Sequence, residues 1–292
     1  MSVRKTSIAY LFLLPTLVYL IIFQLYPLVE NLRLSFTDLS LINRESGQYI
    51  GFENYEHFLF NDYRFWTVFK NTIIWVFGSV LFQFLVGVPS ALLLNKKLIA
   101  RGLWRGLILV PWVTPVIVMG IIWKWIFDGQ WGILNYFLKS INFISNNIVW
   151  LGNESTVWPA LLLTSVWKGF PYITLMILAG LQGINKELYE AAKVDGGTNF
   201  RILRSITLPM LRPTIFVSAL VALVTTWTKF ELIWALTEGG PGISTSTLAI
   251  YIYTNSFVFY SMGKGSTIAV LSTIIVTILS LFYVKTIRRS DT

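Results

Sequence analysis

Six apolar runs, each long enough to cross a lipid bilayer, constrain this chain more than any other feature: about Ile8–Val29, Thr67–Leu94, Leu103–Phe127, Val157–Ile184, Pro213–Thr237 and Gly265–Ile287. Some 20 apolar residues, roughly, span the hydrocarbon core as a helix, and no water is available there to satisfy a backbone N–H or C=O. Helices close those bonds internally. The expected fold is therefore all-α and integral to the membrane, with six transmembrane helices in a single domain over residues 1–292. Composition agrees: only 13% of the residues are charged, against about 25% in a soluble domain. The first run is too long for the apolar core of a cleaved signal peptide and has no small-residue cleavage site, so it reads as a span.

Prolines shape the runs. Pro111 and Pro115 predict a kink in the third, Pro171 interrupts the fourth, and Pro213 opens the fifth, where a first helical turn tolerates proline. Between the third and fourth, Asp128 to Thr156 carries an apolar patch, Ile133–Ile144, that predicts an amphipathic helix on the membrane surface. The net charge of +9 has no basic patch with interleaved aromatics, which argues against nucleic acid. It follows topology instead. Fourteen Lys and Arg (Arg4, Lys5; Lys96, Lys97, Arg101, Arg105; Lys186, Lys193, Arg201, Arg204, Arg212; Lys285, Arg288, Arg289) flank one side of the runs, against four (Arg33, Arg44, Arg64, Lys139) on the other. The positive-inside rule places both termini and the 185–213 loop in the cytoplasm.

That loop is the most polar long stretch. Leu188, Ala191 and Ala192 share one helical face; Gly196 and Gly197 end the helix; Thr198 or Asn199 can cap a second, which Pro209 stops. The unit is a helix, a glycine bend and a helix.

Ionisable residues inside the runs cost roughly 2.5–3.5 kcal/mol each on insertion scales, so Lys168, Lys229 and Glu231 are expected to face protein or water. Lys229 and Glu231 are two apart, on opposite sides of a helix, and make poor partners for each other. Helical spacing gathers Ser165, Lys168, Gly169 and Tyr172 into one stripe and Ser218, Ala222, Thr225, Thr226 and Lys229 into another, with Trp112 and Val116 as a wall of the same interior. Catalytic chemistry has no candidates: there is no phosphate-binding glycine loop, no cysteine, and a single histidine, His57, with no partner at metal-ligand spacing. Neither a metal site nor a catalytic residue is expected.

Glu190-Ala191-Ala192, Asp195-Gly196 and Ile206-Thr207-Leu208-Pro209 resemble, without a gap, the cytoplasmic "EAA" loop of permease subunits in binding-protein-dependent ABC importers. Asn185 stands where that family commonly has proline, and Gly197, where it commonly has alanine, is expected to loosen the bend. Gly51-Phe52-Glu53-Asn54-Tyr55, Trp167-Lys168-Gly169-Phe170-Pro171, Leu181-Gln182-Gly183-Ile184 and Gly239-Gly240-Pro241 extend the likeness to the first permease subunit of maltose- and glycerol-phosphate-type carbohydrate importers.

The resemblance implies a six-helix type I importer fold, a second permease, an external solute-binding protein, and two cytoplasmic ATPase subunits that hold the ATP and Mg, with no cofactor in this chain. It implies ATPase coupling through Glu190, Ala191, Ala192, Asp195, Gly196, Leu208 and Pro209. It further implies carbohydrate contacts at Trp112, Val116, Ser165, Lys168, Gly169, Tyr172, Ala222, Thr226 and Lys229. The two lysines lean the substrate toward an acidic oligosaccharide or a sugar phosphate. A rival class, an ion-coupled secondary transporter, would use Glu231 as its ion site and need no ATPase; a membrane receptor or assembly factor would use the loop only for docking.

Overall fold

A computed structural model describes residues 12–96 and 98–290, with side chains to residue 285. Arg4, Lys5, Lys97 and the side chains of Arg288 and Arg289, counted above for orientation, lie outside the described residues. Long helices dominate: α1 Phe12–Leu34, α2 Tyr63–Asn95, α3 Arg101–Val113, α4 Val116–Ile126, α5 Ile133–Ser140, α6 Glu154–Gln182, α7 Lys186–Val194, α8 Asn199–Trp227, α9 Glu231–Thr237, α10 Leu248–Val258 and α11 Met262–Ser290. Five of these are long and apolar enough to cross a membrane, and the bent pair α3 and α4 makes a sixth if it is one span.

The described residues form two compact units, one of residues up to Trp66 together with Tyr251–Ile275, the other of Thr67–Ile250 together with residues from Val276 on. In the first unit the Gly-Phe-Glu-Asn-Tyr segment has a structural task. Asn54, buried, donates from Nδ2 to the carbonyls of Ser35 (3.2 Å) and Thr37 (2.8 Å), while Tyr55 OH meets Ser35 Oγ at 2.6 Å. Thr267 Oγ1 in α11 donates to the same Ser35 carbonyl at 2.9 Å. The chain leaving α1 is thereby hydrogen-bonded to α11. α1 itself runs five residues past the expected Val29, and in that extension Arg33 pairs with Glu30 at 2.6 Å.

In the second unit α2, α6 and α8 pack around Val80, Ala91, Ile173, Ile177, Leu181 and Leu211. Small residues permit the close approach that membrane helices rely on. A Cβ at Gly87 would lie 2.8 Å from Ile173, and one at Gly180 would lie 2.8 Å from Thr214. Between α4 and α9 the same holds at Gly120, where a Cβ would fall 2.8 Å from Ala235.

Five sequence expectations change. Pro171 does not interrupt α6, which is continuous with both Pro159 and Pro171 inside it; a membrane helix tolerates the lost bond where neighbouring helices support it. Pro209 does not stop the second helix of the loop. A π-helical segment at Leu203–Thr207 carries the chain on, and Pro209 follows it within the same continuous helix. The fifth run is not one helix from Pro213 to Thr237: α8 ends at Trp227 and α9 begins at Glu231, with Thr228–Phe230 between them. The kink expected in the third run is a break, with α3 and α4 meeting at 92°. α5 also ends earlier than the apolar patch suggested, at Ser140, before Asn142 adopts a left-handed φ of 57°.

Candidate functional site

Two broken helices meet at one cavity. α3 stops at Val113 because Thr114, preceding Pro115, is forced extended (ψ 127°), and the chain re-enters a helix at Val116. The last carbonyls of α3 have no intrahelical donor. Lys168, projecting from α6, supplies one: its Nζ donates to the Trp112 carbonyl at 2.7 Å and to the Thr114 carbonyl at 2.6 Å. A cation at a helix C-terminus is also favoured by the helix dipole. Irregular backbone at membrane depth is tolerated where it is buried or lines a cavity, and both breaks do the latter.

The cavity holds about 340 Å³ and is lined by Trp112, Val116, Ser165, Lys168, Gly169, Tyr172, Ala222, Thr226 and Lys229, the nine residues singled out from the sequence, together with Gln83, Met119, Val221, Thr225, Glu231 and Leu232. The volume is within the usual range for small-molecule pockets. Lys229 stands in the break after α8, not on a helix face, so the opposite-sides argument separating it from Glu231 does not apply.

The polar groups of this cavity divide into committed and available. Ser165, buried, donates from Oγ to Ser79 Oγ at 2.9 Å and accepts from Gln83 Nε2 at 3.3 Å, so its hydroxyl proton is used within the protein. Gln83 Nε2 also donates to the Ser165 carbonyl at 3.2 Å, and a Cβ at Gly169 would run into the Gln83 amide. Gly169 is thus the space that Gln83 fills. Thr226, 1% exposed, has an Oγ1 with no partner among the described residues. Gln83 was missed from sequence; the available signal was an amide near the middle of a mostly apolar run.

The residues of the 185–213 loop lie elsewhere, on α7, the bend after it and the start of α8. Asn185 caps α7 by accepting from the Glu187 N–H at 3.1 Å, which gives a reason for asparagine where proline is common. After Asp195 the chain reverses through Gly196 (φ +75°), and Gly197 N–H returns to the Ala192 carbonyl at 2.8 Å. Thr198, not Asn199, caps the next helix. Gly197 does not loosen the bend: a Cβ there would lie 2.6 Å from the Ala192 carbonyl oxygen, so this geometry requires the glycine. Glu190, Ala191, Asp195, Gly196 and Leu208 are exposed, and Ala192 and Pro209 half-buried. Val194 and Phe200, exposed apolar residues on either side of the bend, escaped the sequence reading.

Known proteins resemble this chain in sequence and in fold. The chain is 36% identical to the sulfoquinovosyl glycerol transport system permease protein SmoG of Agrobacterium fabrum, over 97% of this chain and 91% of that one. It is 32% identical to the trehalose/maltose transport system permease protein MalF of Thermococcus litoralis, over 97% and 94%. Its fold matches a chain of a bacterial ABC transporter involved in import of the acidic polysaccharide alginate, with a TM-score of 0.84, 23% identity and coverage of 98% and 97%. A chain of the MetNI methionine ABC transporter matches more loosely, with a TM-score of 0.54, 21% identity and coverage of 75% and 93%. The all-α fold is that of a type I ABC importer permease. With residues 83–290 matching the family model as well, the chain is a multi-pass membrane permease of ABC transport and belongs to the family of binding-protein-dependent transport system inner membrane components.

Proposed function

We propose that this permease passes a carbohydrate, delivered by an external solute-binding protein, through the cavity between the two helix breaks. The observation that carries the reading is the convergence of two aromatic residues, Trp112 and Tyr172, with Thr226, Lys168 and Lys229 on one cavity. Aromatic faces suit the C–H face of a sugar ring, and hydroxyls and ammoniums suit its polar edge. Two relatives named for sugar or glycoside transport support the class. Residues 1–292 act as one permease domain beside a second permease and two ATPase subunits, which bind ATP and Mg. Both termini and the 185–213 loop are cytoplasmic, in the cytoplasmic membrane. Glu190, Ala191, Ala192, Asp195, Gly196, Leu208 and Pro209 couple that loop to an ATPase, with Val194 and Phe200 adding exposed apolar surface. ATP-driven closure then rocks the helices between outward and inward access.

An acidic carbohydrate is preferred over a neutral one. Lys168 spends two donors on backbone carbonyls, so Lys229 is the stronger candidate for a substrate anion. The test is binding-protein-dependent uptake of a neutral and an acidic oligosaccharide of equal length, in wild type, Lys168→Met and Lys229→Met. Preference for the acidic sugar, lost in Lys229→Met, supports the reading. Preference for the neutral sugar, unchanged by either substitution, overturns the acidic assignment. Co-purification of an ATPase subunit, lost when the loop is altered, tests the coupling assignment separately.

A further inference from the structure

The helix α5 has one face turned inward and one left uncovered. On the inner side Asn135, 1% exposed, binds the loop that returns to α6: Nδ2 donates to the carbonyls of Ile148 (3.0 Å) and Asp128 (3.2 Å), and Oδ1 accepts from Ile148 N–H (3.2 Å) and Trp150 Nε1 (3.0 Å). These bonds tie that face of α5 to the loop. On the outer side Ile133, Tyr136 and Phe137, at i, i+3 and i+4, are 64%, 75% and 56% exposed, with Trp131 at 88% beside them.

Two observations identify what covers that face. The exposed apolar stripe of the membrane helix α4, Ile117, Ile121 and Trp125, ends a short loop away from Trp131, so the uncovered surface of α5 continues one already apolar. Between Asp128 and Glu154 the chain has no acidic residue and a single base, Lys139, which follows the stripe and can lay its stem along apolar surface while its ammonium reaches the headgroups. Aromatic side chains with one polar tip belong at the membrane–water boundary. We propose that α5 is an interfacial anchor, lying in the bilayer surface with Ile133, Tyr136 and Phe137 in the acyl region and Lys139 among the headgroups. It fixes the depth of the segment joining α4 to α6, and with it the α3/α4 break that borders the cavity.

The absence of cysteine makes the test direct. Ile133→Cys, Phe137→Cys and, as a control at the loop tip, Asn146→Cys are made singly in the full chain, labelled with bimane, and reconstituted in phosphatidylethanolamine–phosphatidylglycerol vesicles. Fluorescence is read with doxyl-labelled lipid and with aqueous iodide. The anchor requires labels at 133 and 137 to be quenched by doxyl lipid at least about twofold more than the label at 146, with the reverse order for iodide. Iodide quenching at 137 equal to that at 146 places the face in water and overturns the proposal. A label shielded from both quenchers indicates a protein contact and overturns it equally. Both test positions are exposed, so neither label disturbs the packed side of the helix.

Discussion

Lys168 Nζ lies 2.7 Å from the carbonyl oxygen of Trp112, joining the middle of α6 to the broken end of α3. One side chain therefore both lines the cavity and satisfies the backbone that shapes it.

Replacing it separates those roles. Lys168→Met leaves the Trp112 and Thr114 carbonyls without their donor, and each lost bond to a charged group is worth about 1.5–3 kcal/mol. Lower thermal stability of the purified protein is expected, with reduced uptake of any substrate, and Lys168→Arg is expected to restore part of both. Unchanged stability in the methionine variant would remove the structural role.

Thr226→Val tests the opposite case. Thr226 Oγ1 is buried and without a partner among the described residues, so exchanging it for a methyl group of similar size is expected to leave stability unchanged or raise it by about 1 kcal/mol. If the hydroxyl meets the sugar, substrate-stimulated uptake falls about tenfold. Full uptake at low substrate concentration would exclude Thr226 from binding.

Gly196 has a φ of +75° and nothing within 4 Å of where a Cβ would stand, so its requirement is conformational, not one of space. Gly196→Val is expected to strain the bend by roughly 1–3 kcal/mol and to abolish binding-protein-stimulated ATP hydrolysis while the protein still inserts in the membrane. Gly196→Asn, which accepts left-handed dihedrals, should retain more. Equal stimulation in wild type and the valine variant counts against coupling through this loop.

Asp128 offers a pH test outside the membrane helices. Its Oδ1 accepts from the N–H groups of Trp131 (2.7 Å) and Gln130 (2.8 Å), which hold the carboxyl below its ordinary value. A lowered folded pKa contributes stability above the unfolded value, lost as pH falls through the folded one. Thermal unfolding of Asp128→Asn against wild type should differ near neutral pH and converge under acid conditions. A difference independent of pH would mean that the charge plays no part.

The sequence alone determined the membrane class, the approximate spans and the polar loop, because lipid imposes one rule on every residue it touches: close the backbone bonds and expose apolar side chains. It also gathered Ser165, Lys168, Gly169 and Tyr172 on one face, since helical periodicity is a local property. Tertiary structure decided the rest. Whether Pro111–Pro115 gives a kink or a 92° break depends on whether something satisfies the freed carbonyls, and Lys168 lies more than fifty positions away. The pairing of Gln83 with Ser165 is likewise a contact between distant segments. No window of sequence contains both partners of such a bond, so only the folded chain shows which polar groups are already used and which remain for a ligand.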